Sequence, residues 1–250
     1  MDSTLNKTAA KAATLAAEAT ATRGYFGQII SPPAEILGLV SSIKAAAGWE
    51  TGIEDVGSGS NRGFESRSID VFGYDVARKL AVVQIRRAYK RKASHFLSVS
   101  KAYALIGIDG EQQFSHVLKS SPRRLPDLST RTPEEVVAWA EKIIFGLKSE
   151  ADISKIKRQG DVALVPVKSI PKSAVPVEAG EVIFRGSHRL VGRIFKQEGG
   201  GYFVEGGRDT RMLHTKHEHG ALFTSKGQAF RVVVGMRGDD PRWLGATLGD

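Results

Sequence analysis

Residues 96–118 read FLSVSKAYALIGIDGEQQFSHVL, in which two β-rich runs flank the pair Asp109-Gly110. An Asp-Gly pair between two such runs is a strong signal for a β-hairpin turn. A further β-rich run, residues 80–85, comes earlier in the chain. These runs predict a sheet that ends in a hairpin around residue 110.

The clearest helix signal follows in residues 132–146, TPEEVVAWAEKIIFG. Thr132 suits the N-cap position, Pro133 suits the first helical position, and Glu135 completes a capping box. The apolar residues between them recur at helical spacing, and Gly146 is a suitable stop. We therefore predict a helix between these two boundaries.

The chain from residue 159 onward is β-rich, with short runs set apart by glycine or proline. Gly199-Gly200-Gly201 indicates a hairpin between two of them. Closely spaced short strands of this kind predict a small β-barrel or β-roll. The predicted strands cover residues 161–167, 181–185, 188–195, 202–205, 210–214 and 230–236.

The N-terminal part has a different composition from the rest of the chain. Residues 4–22 are alanine-rich and predict a helix, and a second helix is expected over residues 34–47. The Gly/Ser-rich residues 57–63 indicate a linker or a mobile loop. The sequence thus predicts an α+β fold. Its expected parts are a helical, partly flexible region (residues 1–64), a basic α+β domain (65–147) and a β-rich domain with a histidine cluster and a C-terminal tail (159–250).

Composition bounds the class of protein. A hydrophobic fraction of 41% and a charged fraction of 25% are typical of globular chains. The absence of cysteine excludes disulfides, thiol catalysis and cysteine-ligated zinc, and it fits a reducing compartment. The N-terminus lacks the continuous apolar stretch of a secretory signal, and no apolar run is long enough to cross a membrane. We expect a cytoplasmic protein with no membrane partner.

A formal net charge of +9 favours a polyanionic partner, and nucleic acid is the commonest. The excess is concentrated between residues 76 and 108, where there is no aspartate or glutamate. Clustered cations bind phosphates, and interleaved aromatic rings can stack on bases. The same pattern also fits a solvated face whose aromatic residues belong to a core. The predicted nucleic-acid-binding residues are Arg78, Lys79, Arg86, Arg87, Lys90, Arg91, Lys92, Lys101, Tyr89 and Phe96.

Four of the six histidines lie in the β-rich part, so a histidine-based site is a second hypothesis. Phosphodiester cleavage without a metal needs a general base, a general acid and a cation. His188, His214, Lys216 and His219 could supply these groups. Alternatively, His214, His217 and His219 could ligate a divalent metal. An exposed polar loop explains the same residues without any function.

Three functions follow from these patterns. The first is a non-catalytic nucleic-acid-binding protein, and the second is a histidine-dependent enzyme, either a metal-free ribonuclease or a metal enzyme. The third is a structural subunit that meets protein partners or its own copies through the N-terminal helix or the tail around Trp243. Residues 159–167, followed by the histidine-rich β segment, resemble bacterial and phage proteins, which implies an origin in a bacterium or its mobile elements.

Overall fold

The computed structural model describes residues 21–46, 52–57, 62–92, 97–109, 112–160, 162–215 and 220–237. These residues form two α-helices and three antiparallel sheets, which confirms the α+β class. Residues 4–20 of the predicted N-terminal helix and the tail around Trp243 lie outside the described residues, while Ala21 and Thr22 are described and are not helical.

The first sheet contains the hairpin that the sequence predicts. Asp109 and Gln112 pair across the turn, so the Asp-Gly signal is confirmed. The domain boundary expected after residue 64 falls inside the second strand, and residues 57–63 connect two paired strands. In spatial order, the strands are β1 (Gly52–Val56), β2 (Gly63–Asp75), β3 (Leu80–Arg91), β4 (Leu97–Asp109), β5 (Gln112–Val117) and β16 (Met236–Arg237).

One helix covers each face of this sheet. Helix α1 (Ala34–Ala46) packs Ile36 and Ile43 against one face, while α2 (Pro133–Phe145) packs Val136 against the other. The capping box of α2 is confirmed: Thr132 Oγ1 accepts from the backbone N–H of Glu135, whose carboxylate accepts from the backbone of Thr132. The buried residues of the two cores do not include the far ends of β3 and β4, where Lys90, Arg91 and Ser98 are exposed.

The later strands form the other two sheets around a shared apolar core, to which both sheets contribute side chains. The strands are β6 (Lys157–Gln159), β7 (Val162–Val167), β8 (Val175–Pro176), β9 (Glu181–Phe184), β10 (His188–Val191), β11 (Arg193–Lys196), β12 (Tyr202–Glu205), β13 (Arg211–His214), β14 (Leu222–Phe223) and β15 (Ala229–Val234). One sheet has the order β14–β13–β10–β9, and the other has the order β6–β7–β15–β12–β11–β8.

The predicted barrel is not supported, because the described strands of this region form two separate open sheets. Residues 188–195 were expected to be one strand, but the chain turns at Gly192, where φ is +135°. A Cβ there would lie 2.5 Å from Thr210 Oγ1, so only glycine fits. The turn sends β10 and β11 into different sheets. The glycine hairpin between β11 and β12 is confirmed.

No helix in the described ranges combines the length and the apolar character needed to cross a lipid bilayer.

Candidate functional site

The basic segment (residues 76–108) covers the turn before β3, β3 itself and β4 as far as residue 108. Side chains alternate between the two faces of a strand, so the cations of β3 are divided between two surfaces. Arg87 and Arg91 lie on the face of α1, whereas Arg86 and Lys90 lie on the face of α2. Lys101 of β4 is directly opposite Arg86 and therefore shares its face.

On the α1 face, Arg87 is ion-paired with a carboxylate from β2 that it shares with a second arginine. Glu65 is only 3% exposed and accepts hydrogen bonds at 2.6 Å from both Arg87 and Arg67. Burial alone would raise the pKa of Glu65, but the two arginines outweigh it and lower the pKa. This cluster is therefore a structural ion-pair network, and Arg87 is committed to it.

Two further predicted contact residues are also paired with acids. Arg78 lies 2.6 Å from Asp75 and 2.9 Å from the buried Glu141 of α2. Lys92 lies 2.8 Å from Asp55, and hydrogen bonds from Arg62 and then Lys92 lower the pKa of Asp55 to about 2. The segment is free of acids in the sequence, but in the fold other strands and α2 bring carboxylates to it.

The α2 face differs, because the β3 and β4 cations on it form no ion pair with a described residue. Arg86 and Lys101 are direct cross-strand neighbours, and neither makes an ion pair within the described part of the chain. Two like charges directly opposite each other destabilise an antiparallel pair. Lys90 lies further along the same face and is exposed. We define Arg86, Lys90, Lys101 and Arg123 as the cationic face.

Arg123 joins this surface from outside the sheet. It belongs to the short 3-10 helix Pro122–Arg124, and its guanidinium carbon lies 4.6 Å from the ring centroid of Phe26. Arg86, Lys101, Arg123 and Phe26 line one groove of about 480 Å3. Its remaining lining consists of Gln28, Ser68, Val99 and Asp70, whose carboxylate accepts a hydrogen bond from Gln84.

Arg123 and Phe26 are not among the residues predicted from the sequence. Both are far from the basic segment in the chain, and only the fold brings them to the same groove. The predicted aromatic residues do not line the groove. Tyr89 is half-buried on the opposite face, with its ring over Gly63, and Phe96 lies outside the described residues. Lys79 and Arg91 are exposed but are not part of the groove.

The structure brings two of the predicted histidines together. His188 of β10 and His214 of β13 are cross-strand partners, and their ring centroids are 4.9 Å apart. Both are only 2% exposed, and Ser187 Oγ lies 3.1 Å from His188 Nδ1. This burial limits the access of a substrate to either ring.

The other members of the histidine cluster, Lys216, His217 and His219, lie outside the described residues. Within the described ranges, no three histidine or acidic side chains are grouped so that they could hold a metal. The ribonuclease and metal hypotheses therefore stay predictions.

His116 of β5 is not among the predicted site residues. It is 3% exposed and packs edge-on against Phe114 and Phe145. Burial lowers its pKa to about 3, and the charges of Arg158 and Arg185 add to this shift. The ring is therefore neutral at physiological pH. Its surroundings are those of a core histidine.

No protein-family model, curated protein or solved structure matches the chain.

Proposed function

We propose that this chain binds nucleic acid through the cationic face and has no catalytic activity of its own. The observation that carries the proposal is the direct opposition of Arg86 and Lys101 across β3 and β4, without an ion pair among the described residues. A polyanion placed over these two side chains would replace a repulsion with two charge-assisted contacts.

The surroundings of the pair support a phosphate ligand. Arg123 extends the positive surface beyond the sheet, and Lys90 continues it toward the end of β3. Ser68 pairs with Arg86 on the neighbouring strand and lines the same groove, where its hydroxyl can donate to a phosphate oxygen. The one carboxylate among the described residues that line the groove, Asp70, accepts a hydrogen bond from the side chain of Gln84.

The test is a fluorescence anisotropy titration of the full chain with single-stranded RNA and duplex DNA at two salt concentrations. The variant Arg86→Gln/Lys101→Gln removes the opposed pair. We expect weaker binding and a log Kd–log salt slope that is smaller by roughly 1.4 for a single strand, since each phosphate contact contributes about 0.7. The RNA should be recovered intact on a gel, as a non-catalytic binder requires.

Lys172→Gln/Lys226→Gln is a matched control, because it also removes two exposed cations but takes them from loops away from the groove. If both double variants weaken binding equally, net charge rather than this face is responsible. If the wild-type chain binds neither probe at low salt, the proposed function is wrong. Cleaved RNA would instead support the histidine-dependent enzyme.

A further inference from the structure

A short loop beside the cationic face presents two aromatic rings to solvent. It spans residues 24–28 and is closed by an isolated β-bridge between Arg23 and Ile29. Tyr25 is 95% exposed and Phe26 is 54% exposed, and their rings meet edge to face with centroids 5.0 Å apart. We call residues 24–28 the aromatic loop. Burying these rings would be favourable, yet the fold leaves them in water.

The aromatic loop has a defined conformation. The N–H of Gly24 donates to the carbonyl of Gln28 at 2.7 Å, and the N–H of Gly27 donates to the carbonyl of Gly24 at 2.8 Å. The N–H of Phe26 donates to Gln28 Oε1 at 3.1 Å. Gly27 has φ of +80°, and a Cβ there would lie 2.5 Å from Leu128. The local hydrogen bonds and this glycine define the backbone from which the two rings project.

Arg23 attaches the loop to the body of the protein. Its guanidinium donates to the carbonyls of Gly27 and Phe72 at 2.9 and 2.8 Å, and to that of Arg131 at 3.1 Å. These carbonyls belong to the loop, to β2 and to the segment before α2. The backbone of Ile29 also donates to Val71 in β2. The backbone that carries the rings is therefore anchored to the first sheet.

That position borders the cationic face. Phe26 lines the groove together with Arg86 and Lys101, and the guanidinium of Arg123 lies over its ring. A preordered aromatic ring beside unpaired cations is the arrangement with which proteins bind single strands, because cations contact the phosphates and rings stack on bases. A duplex offers phosphates, but its bases are already stacked on one another.

We propose that the aromatic loop stacks on unpaired bases, so that the ligand of the cationic face is a single-stranded nucleic acid. The inference rests on the proposed function and specifies its substrate class. Tyr25 and Phe26 provide the stacking surface, while Arg86, Lys101 and Arg123 hold the adjacent phosphates. Stacking requires a π-face and not a particular base, so binding is tolerant of sequence.

The test compares two oligonucleotides of about twelve nucleotides, within the site sizes of single-strand-binding proteins. One is oligodeoxythymidine, and the other has the same phosphates but abasic sugars. In the full-length chain, Tyr25→Ala/Phe26→Ala should raise the Kd for oligodeoxythymidine at least about fivefold, the low end of one lost stacking contact. The Kd for the abasic strand should change less than about twofold. Arg86→Gln/Lys101→Gln should weaken both.

Tyr25→Ala alone covers the case in which loss of Phe26 disturbs Arg123, since Tyr25 is almost fully exposed. Circular dichroism and thermal unfolding report whether each variant is folded. An unchanged Kd for oligodeoxythymidine, equal weakening of both strands, or tighter wild-type binding to duplex would overturn the inference. If the arginine–lysine variant still weakens binding in those cases, the proposed function stands without it. Failure of the wild type to bind any probe would overturn both.

Discussion

Glu141 shows how one residue can join the sheets at their junction. It lies on the buried side of α2 with its side chain 4% exposed. Arg78, at the turn between β2 and β3, donates to both of its carboxylate oxygens at 2.9 and 3.1 Å. Arg158 of β6 lies 3.7 Å from the same carboxylate. A helix over the first sheet is thus linked to a strand of another sheet.

Glu141→Gln should therefore lower the free energy of unfolding by about 2 kcal/mol, because hydrogen bonds to charged groups are worth more than neutral ones and a buried pair loses one charge. Urea denaturation measures this change. Glu178→Gln makes the same chemical change at an exposed position and should stay within about 0.5 kcal/mol of wild type. Equal effects of the two variants would mean that this ion pair contributes little.

At this scale the sequence predicts only part of the site. It identifies Arg86 and Lys101, because an acid-free window is visible in one dimension. It also includes Arg78 and Arg87, whose partners Glu141 and Glu65 lie outside that window and reach it only through the fold. Arg123 was missed for the same reason. Which cations are ion-paired depends on contacts between residues that are far apart in the sequence. The composition of a segment gives no information about these contacts.

Among the elements, α2 has the most complete set of local signals. Thr132 caps its N-terminus, Glu135 closes the capping box, and Gly146 ends it in a left-handed conformation with φ of +62°. Its apolar side packs on β2 and β3, where Val136 is fully buried. Because the cap fixes the start of the helix, it also fixes the orientation of the face that carries Glu141.

Thr132→Ala should lower stability by about 1 kcal/mol, the usual cost of a lost N-cap. For a chain of this length that corresponds to a melting temperature lower by roughly 2–4 °C, measurable by circular dichroism. Ser129→Ala removes a hydroxyl from an exposed position just before the helix and is the matched control. If the N-cap contributes nothing to the free energy of unfolding, both variants will have the melting temperature of wild type.

The predictability of an element follows from how local its cause is. The hairpin at Asp109 and the capping box at Thr132 are encoded within a few residues, and both are confirmed. Strand β1 was not predicted, since it exists through pairing with β2. The turn at Gly192 was also missed, because its cause is the approach of Thr210, eighteen positions away in the sequence.

At the scale of the whole molecule, a buried histidine lies among cations where the first sheet meets the later strands. His116 of β5 is packed between Phe114 and Phe145, and Gly235 contacts it from the segment that precedes β16. Arg185 donates to the carbonyl of Gly235, and Arg158 lies over the ring of Phe114. Protonation of His116 would therefore place a third positive charge beside two arginines, out of contact with water.

The sign of the pH dependence follows from its pKa, which is lowered from an ordinary value of 6.5 to about 3. Below pH 6.5 the unfolded chain takes up a proton at His116 that the folded chain does not, so stability falls as the pH falls toward 3. Between pH 7.5 and 5.5 this single group should lower the free energy of unfolding by about 1.4 kcal/mol.

His116→Phe keeps an aromatic ring in the site and cannot take up the proton. Urea denaturation at pH 7.5 and 5.5 should give a pH-dependent loss that is smaller than in wild type by about 1.4 kcal/mol, whatever the variant's stability at pH 7.5. The ion-paired Asp55, with a pKa of about 2, titrates below this window and does not contribute to the difference. Parallel losses in the two proteins would mean that His116 is protonated in the folded state, and that water or an anion reaches the junction between the sheets.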